Sequence, residues 1–164
     1  YVAGDAAVAG KIEEVRRDIL CQPRDEAELA IEVQKMRDRM RNHLLPNAGR
    51  KDNEFHLKQG RGGIVDIEFM VQYAVLAWSH CEPDLAVWSD NVRILETLGK
   101  KGLFEPSECA ALTDAYLAYR SAAHQLSLQQ QPGVVGADKF QVERSAVTDK
   151  WARLFGPYPV PVSD

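Results

Sequence analysis

No run of apolar residues in this chain is long enough to cross a bilayer. Its opening, YVAGDAAVAGKIEE, lacks the layout of a secretory signal. Both absences argue against a membrane protein. Basic charge is not in excess either: 20 Lys and Arg face 24 Asp and Glu, for a net charge of −4. A general binder of nucleic acid or of anionic membranes is thereby excluded, although a local basic site remains open. The three cysteines, Cys21, Cys81 and Cys109, are odd in number and share no metal-ligand or redox spacing. They read as free thiols of a reducing cytosol, with no zinc site and no metal ligands. Strand-type alternation, internal repeats and low-complexity segments are missing as well.

What is present is a run of helical patterns. A length of 164 residues suits one domain, with 45% apolar and 27% charged residues, an ordinary balance for a globular chain. Residues 5–21 read as a helix with Val8, Ile12, Val15 and Ile19 on one face, stopped by Pro23. Asp25 followed by Glu28 suggests a capping box for a second helix, whose apolar stripe is Leu29, Val33, Met36, Met40 and Leu44. Arg37 and Arg41 lie one turn apart on its other face. The plainer reading of that face is solvation. Residues 46–53 form an exposed loop, and 54–58 a short extended piece.

The stretch LKQGRGGIVDIEFMVQYAVLAWSH, residues 57–80, is the centre of the pattern. A basic, glycine-rich turn leads into a segment that is apolar nearly all round, which predicts a buried helix over 63–80. Its only charges, Asp66 and Glu68, fall in the first two turns and point to different sides. If the helix is central, each carboxylate needs a partner, and Arg37 and Arg41 are candidates for that role. Gly60, Gly62 and Gly63 beside Lys58 and Arg61 suggest a turn with outward-pointing amides, a small anion site at the helix start.

Beyond it, residues 81–84 form a turn. Ser89 is the expected cap of a helix with Val92, Leu95 and Leu98 inward, and Ser107 that of a longer one running to the break at Pro132 and Gly133. Tyr116, Arg120 and His124 form a polar stripe on the latter, with His124 a candidate proton carrier. A last helix is expected from about Ala137 to Phe155. The architecture implied is all-α: a single bundle of five or six helices around the central one. Residues 1–156 make the domain and 157–164 a frayed tail.

The segment LKQGRGGIVDIEFMVQY resembles the one that follows the nucleotidyltransferase domain in the glutamine synthetase adenylyltransferase family. RRDIL, PRDEAEL, VQKMRDRMRNHL, WSDNVRILETL and LSLQQQPG match its carboxy-terminal part in the same order. The resemblance implies a helical domain cut from a longer cytoplasmic enzyme, following a transferase domain absent from this chain. That enzyme would use ATP and Mg2+ to adenylylate a tyrosine of glutamine synthetase, would remove the group by phosphorolysis, and would respond to the PII signalling protein. Gly62, Gly63, Asp66, Glu68 and Lys58 match the family's pattern; the Arg61 position varies in it.

Nucleotidyl transfer needs metal ions held by clustered carboxylates, commonly after a glycine-serine turn. The chain has no such arrangement, so no catalytic residue is expected here and no bound cofactor. Lys58, Arg61, Gly62, Gly63, Asp66 and Glu68 are expected to face the transferase cleft, with Arg37, Arg41, Arg120 and His124 in support. An alternative is a non-catalytic module that docks glutamine synthetase, PII or the other enzyme half. A third, an autonomous anion binder, would have only a shallow site.

Overall fold

A computed structural model describes residues 6–45 and 53–158. Six α-helices are found among them: α1 (Ala6–Leu20), α2 (Glu26–Leu44), α3 (Ile64–Trp78), α4 (Asn91–Lys100), α5 (Pro106–Leu128) and α6 (Gln141–Phe155). A short 3-10 helix, Pro83–Ala86, lies between α3 and α4. Two three-residue strands, β1 (Glu54–His56) and β2 (Val134–Gly136), pair antiparallel with Phe55 opposite Val135. The expected loop is outside the described residues over 46–52.

The all-α expectation holds, with α3 at the centre. Ten of its fifteen residues are buried, and it touches α2, α4, α5, α6 and the 3-10 helix. Ile67, Met70, Val71 and Ala74 are wholly excluded from water. Burying each of the larger of these side chains stabilises the fold by about 1.5–3 kcal/mol. The two strands tie the segment before α3 to the segment after α5. Edge-to-face contacts of Tyr119 with Phe55 at 5.6 Å and with Phe140 at 5.3 Å close that end of the core.

Several local expectations change. Asp90, not Ser89, caps α4 through the Arg93 amide at 3.0 Å. Glu105 with Pro106 starts α5 in a capping box with Glu108, so the cap lies two residues ahead of Ser107. Strand β2 was hidden in VVG after the proline-glycine break. The last helix begins at Gln141, because Phe140 adopts a left-handed conformation with φ 57° and breaks the regular backbone before it.

The tail also differs. Tyr158 stacks on Trp151, ring centroids 5.2 Å apart and nearly parallel, so the chain stays packed at least that far. Residues 159–164 lie outside the described part.

The largest departures concern α1 and α2. Val8, Ile12, Val15 and Ile19 are each more than half exposed, and α1 buries no residue. In α2 it is Arg37 and Arg41 that are buried, whereas Met36 and Leu44 of the apolar stripe are exposed.

Candidate functional site

Asp66 enters the core in the first turn of α3 with none of its surface exposed. An isolated carboxylate there would be prohibitively costly, so the surrounding sequence has to supply its partners. Arg37 Nε donates to Oδ1 at 2.6 Å and Arg41 Nη2 donates to the same oxygen at 3.2 Å. The Gly62 amide donates to Oδ2 at 2.8 Å, and the Tyr158 hydroxyl donates to Oδ2 at 2.6 Å. One carboxylate thus joins α2, the glycine turn, α3 and the chain after α6.

Spacing explains how α2 does this. Arg37 and Arg41 are four residues apart and share a face, so both guanidiniums reach one point. Arg37 spends its remaining donors on Gln59, with Nη1 to Oε1 at 3.2 Å and Nη2 to the backbone carbonyl at 2.9 Å. Arg41 Nη1 reaches Asp38 at 3.3 Å. Two acids and two arginines therefore balance within the cluster. Burial pulls the Arg37 pKa down from its ordinary value while Asp66 opposes that pull. Burial and the adjacent Asp66 charge push the Tyr158 phenol well above its ordinary value, so it stays a donor.

The glycine turn is built for close packing. A Cβ at Gly63 would lie 2.6 Å from the Leu57 carbonyl and 2.9 Å from that of Gly60. At Gly62, with φ +78°, it would sit 3.0 Å from both the Arg144 carbonyl and the Thr148 methyl. The expected outward amides are not there. Ile64 N donates to Leu57 O at 2.9 Å, Val65 N to Lys58 O at 3.2 Å and Gly63 N to Gly60 O at 3.0 Å. The turn folds back and satisfies the helix start with its own carbonyls, which leaves no backbone anion site at that point.

The other expected site residues fall in three separate places. Lys58 and Arg61 are exposed beside the turn, Arg61 lying 5.3 Å over the Tyr158 ring. Glu68 is half-buried on another side of α3. Arg120 and His124 are exposed on α5, with Arg120 5.5 Å over the Tyr116 ring, and neither bonds to Asp66. Tyr116, expected in their polar stripe, is buried and accepts from Asn91 Nδ2 at 2.9 Å.

Gln59 and Tyr158 belong to the cluster and were not singled out from the sequence. Gln59 stood between two more conspicuous neighbours. Tyr158 sits between prolines in PYP, a pattern that reads as a loose end.

A divalent cation does not fit the Asp66 carboxylate, which is already neutralised by two guanidiniums and held by a phenol and an amide. Among the described residues, no group of three or more His, Cys, Asp and Glu is placed to hold a metal ion. Nor is any described helix long and apolar enough to cross a membrane.

Fold and site together define a helical domain pinned by a buried ion cluster. The chain belongs to the GlnD PII-uridylyltransferase family, whose model matches residues 29–132, more than half of its length. It is also similar to proteins named bifunctional glutamine synthetase adenylyltransferase/adenylyl-removing enzyme, which bears out the resemblance noted in the sequence. The one from Acinetobacter baylyi is 48% identical over 157 residues, covering 95% of this chain and 17% of that protein. The one from Pseudomonas syringae pv. tomato is 48% identical over 162 residues, with 93% and 16% covered. That from Nitrosococcus oceani is 47% identical over 154 residues, with 94% and 16% covered. The chain thus spans 16–17% of the length of these curated relatives.

Proposed function

We propose that this chain is a helical domain of a cytoplasmic enzyme that adenylylates and deadenylylates a tyrosine of glutamine synthetase, working joined to a nucleotidyltransferase domain. The observation that carries this reading is the 48% identity to enzymes of that name across 95% of the chain. ATP and Mg2+ are then held by the transferase domain, since the carboxylate at hand is committed to arginines. The PII protein acts on the full enzyme as a regulator. Free Cys21, Cys81 and Cys109 suit a reducing compartment.

Within that enzyme the domain's part is to hold a rigid edge against the transferase cleft. The ion cluster fixes the glycine turn, and the turn fixes the starting points of the Lys58 and Arg61 side chains. These two exposed cations are suited to steadying a phosphate or an acidic loop that approaches from outside. Gly62, Gly63 and Asp66 act behind them as a frame, without touching nucleotide.

Lys58→Ala in the full enzyme separates this role from a folding role. Adenylylation of glutamine synthetase should fall about tenfold in kcat/KM while the melting temperature stays put. Unchanged kinetics would remove Lys58 from the site.

A further inference from the structure

The chain beyond α6 stays against the body. Gly156, with φ +83°, lets it turn back, and the Gly156 amide closes the helix on the Ala152 carbonyl at 2.9 Å. Gln34 Nε2 of α2 donates to the Pro157 carbonyl at 3.3 Å. This path brings Tyr158 beside the glycine turn, where its two parts meet different surroundings. The hydroxyl reaches inward and donates to Asp66 Oδ2 at 2.6 Å, the oxygen that also accepts from the Gly62 amide. The ring stacks on Trp151 at 5.2 Å, and the guanidinium carbons of Arg41 and Arg61 lie over it at 4.9 Å and 5.3 Å.

The two arginines depend on that ring differently. Arg41 is buried and bonded to Asp66 and Asp38, so its place is set from within. Arg61 is exposed and sits one position before Gly62, where the turn fixes its Cα but not its long side chain. A cation over an aromatic face is favoured about two- to fivefold at an exposed site, enough to bias the rotamers of such a side chain. The ring supplies no counter-charge, so it holds the guanidinium without neutralising it. It is also a rigid platform, fixed at its hydroxyl, against Trp151 and through Pro157. An arginine presented in this way offers a planar fork that matches an oxyanion.

We propose that Tyr158 is a positioning residue for adenylylation: its ring sets the Arg61 guanidinium toward an incoming oxyanion, while its hydroxyl serves the interior cluster. The inference rests on the reading above that Lys58 and Arg61 face the transferase cleft.

The full-length enzyme carries the test, with kcat/KM measured separately against ATP and against glutamine synthetase, below the melting range of every variant. Tyr158→Phe keeps the platform and Tyr158→Leu removes it. Both should melt lower than the native enzyme, yet kcat/KM should fall less than about twofold in the first and about fivefold in the second. The substrate against which the fall is larger names the source of the oxyanion, a nucleotide phosphate or an acidic side chain. Tyr158→Leu also strips out a packed ring, so Tyr158→pentafluorophenylalanine is added, which keeps the shape and reverses the ring's charge distribution. It should lose activity like Tyr158→Leu while melting like Tyr158→Phe. In an Arg61→Gln background all three variants should become equal in kcat/KM.

Equal kinetics for Tyr158→Leu and Tyr158→Phe beside unequal melting would overturn the proposal, because the ring would then serve stability alone. So would a fivefold gap that persists without Arg61. An impaired Lys58→Ala beside a native-like Arg61→Gln would sink this inference and spare the reading beneath it; native kinetics in both would sink the two together.

Discussion

Helices α1 and α2 carry comparable amphipathic patterns and both turn arginine to the body, yet α2 buries Arg37 and Arg41 whereas α1 buries no residue. On α2 the basic side goes in and Met36 stays out; on α1 the aliphatic stripe stays out and the helix is seated through Arg16. The difference traces to what each helix meets. Helix α2 meets a carboxylate inside an otherwise apolar helix, and no amount of aliphatic packing would compensate that charge. Helix α1 meets a ring of carbonyls at the 3-10 helix, for which a guanidinium is the natural partner. Periodicity says that two faces differ. The chemistry of the neighbour decides which one is covered.

Removing the acid on the α2 side should break the contrast most severely. Asp66→Asn keeps the shape but leaves Arg37 buried without its counter-charge, at a cost of about 3–5 kcal/mol in a denaturant titration. The pair Arg37→Met with Asp66→Leu should recover part of that loss, because Arg41 keeps Asp38 as its counter-charge while the Gly62 amide and Tyr158 hydroxyl lose their acceptor. If Asp66→Asn cost under about 1 kcal/mol, the cluster would not be what holds α2 to α3. Next in size is Gly62→Ala. Its Cβ would stand at φ +78° and 3.0 Å from the Arg144 carbonyl, so a loss of about 1–3 kcal/mol is expected by thermal melting.

The central helix was legible because a segment apolar on every side has nowhere to go but the interior. Its pairing with Arg37 and Arg41 was foreseeable as a need, since Asp66 demanded cations and those two shared a face. Strand β2 was illegible because three residues, VVG, hold no period. The turn misled more instructively: glycines before a helix fit either an anion cradle or backbone packed on backbone, and sequence spacing is the same for both. Only the positions of the Leu57, Lys58 and Gly60 carbonyls separate them. Tyr158 was invisible because its partner lies 92 positions away.

Tyr158→Phe sharpens the comparison from the far end of the cluster. The ring can still stack on Trp151, but Asp66 Oδ2 loses a 2.6 Å donor, so a loss of about 1–2 kcal/mol is expected on melting. The opposite result is expected across the molecule. Ile12→Asp should change the stability of the 164-residue chain by no more than about 0.5 kcal/mol, because the residue it replaces is 60% exposed. A large loss there would mean that α1 is seated by its aliphatic face after all, and the contrast between the two helices would vanish.

The smallest effect is a dependence on pH that reaches the cluster through its edge. His56 Nδ1 accepts from the Gln59 amide at 3.2 Å, and Gln59 in turn receives Arg37. Burial, together with Lys58, holds the His56 pKa below its ordinary value against an opposing backbone hydrogen bond. A lowered value in the fold means that the unfolded chain takes up the proton first as pH falls. Stability should therefore drop as pH descends through about 6.5, and that contribution should level off once the folded imidazole titrates as well. Protonation also turns Nδ1 from an acceptor into a donor facing the Gln59 amide, which strikes at the residue that holds Arg37. Melting curves between about pH 7 and pH 5 should slope downward for the native chain and less so for His56→Asn, whose carbonyl can still accept that amide without titrating. Equal slopes would show that the imidazole is exposed enough to titrate alike in both states, and would detach it from the Asp66 cluster.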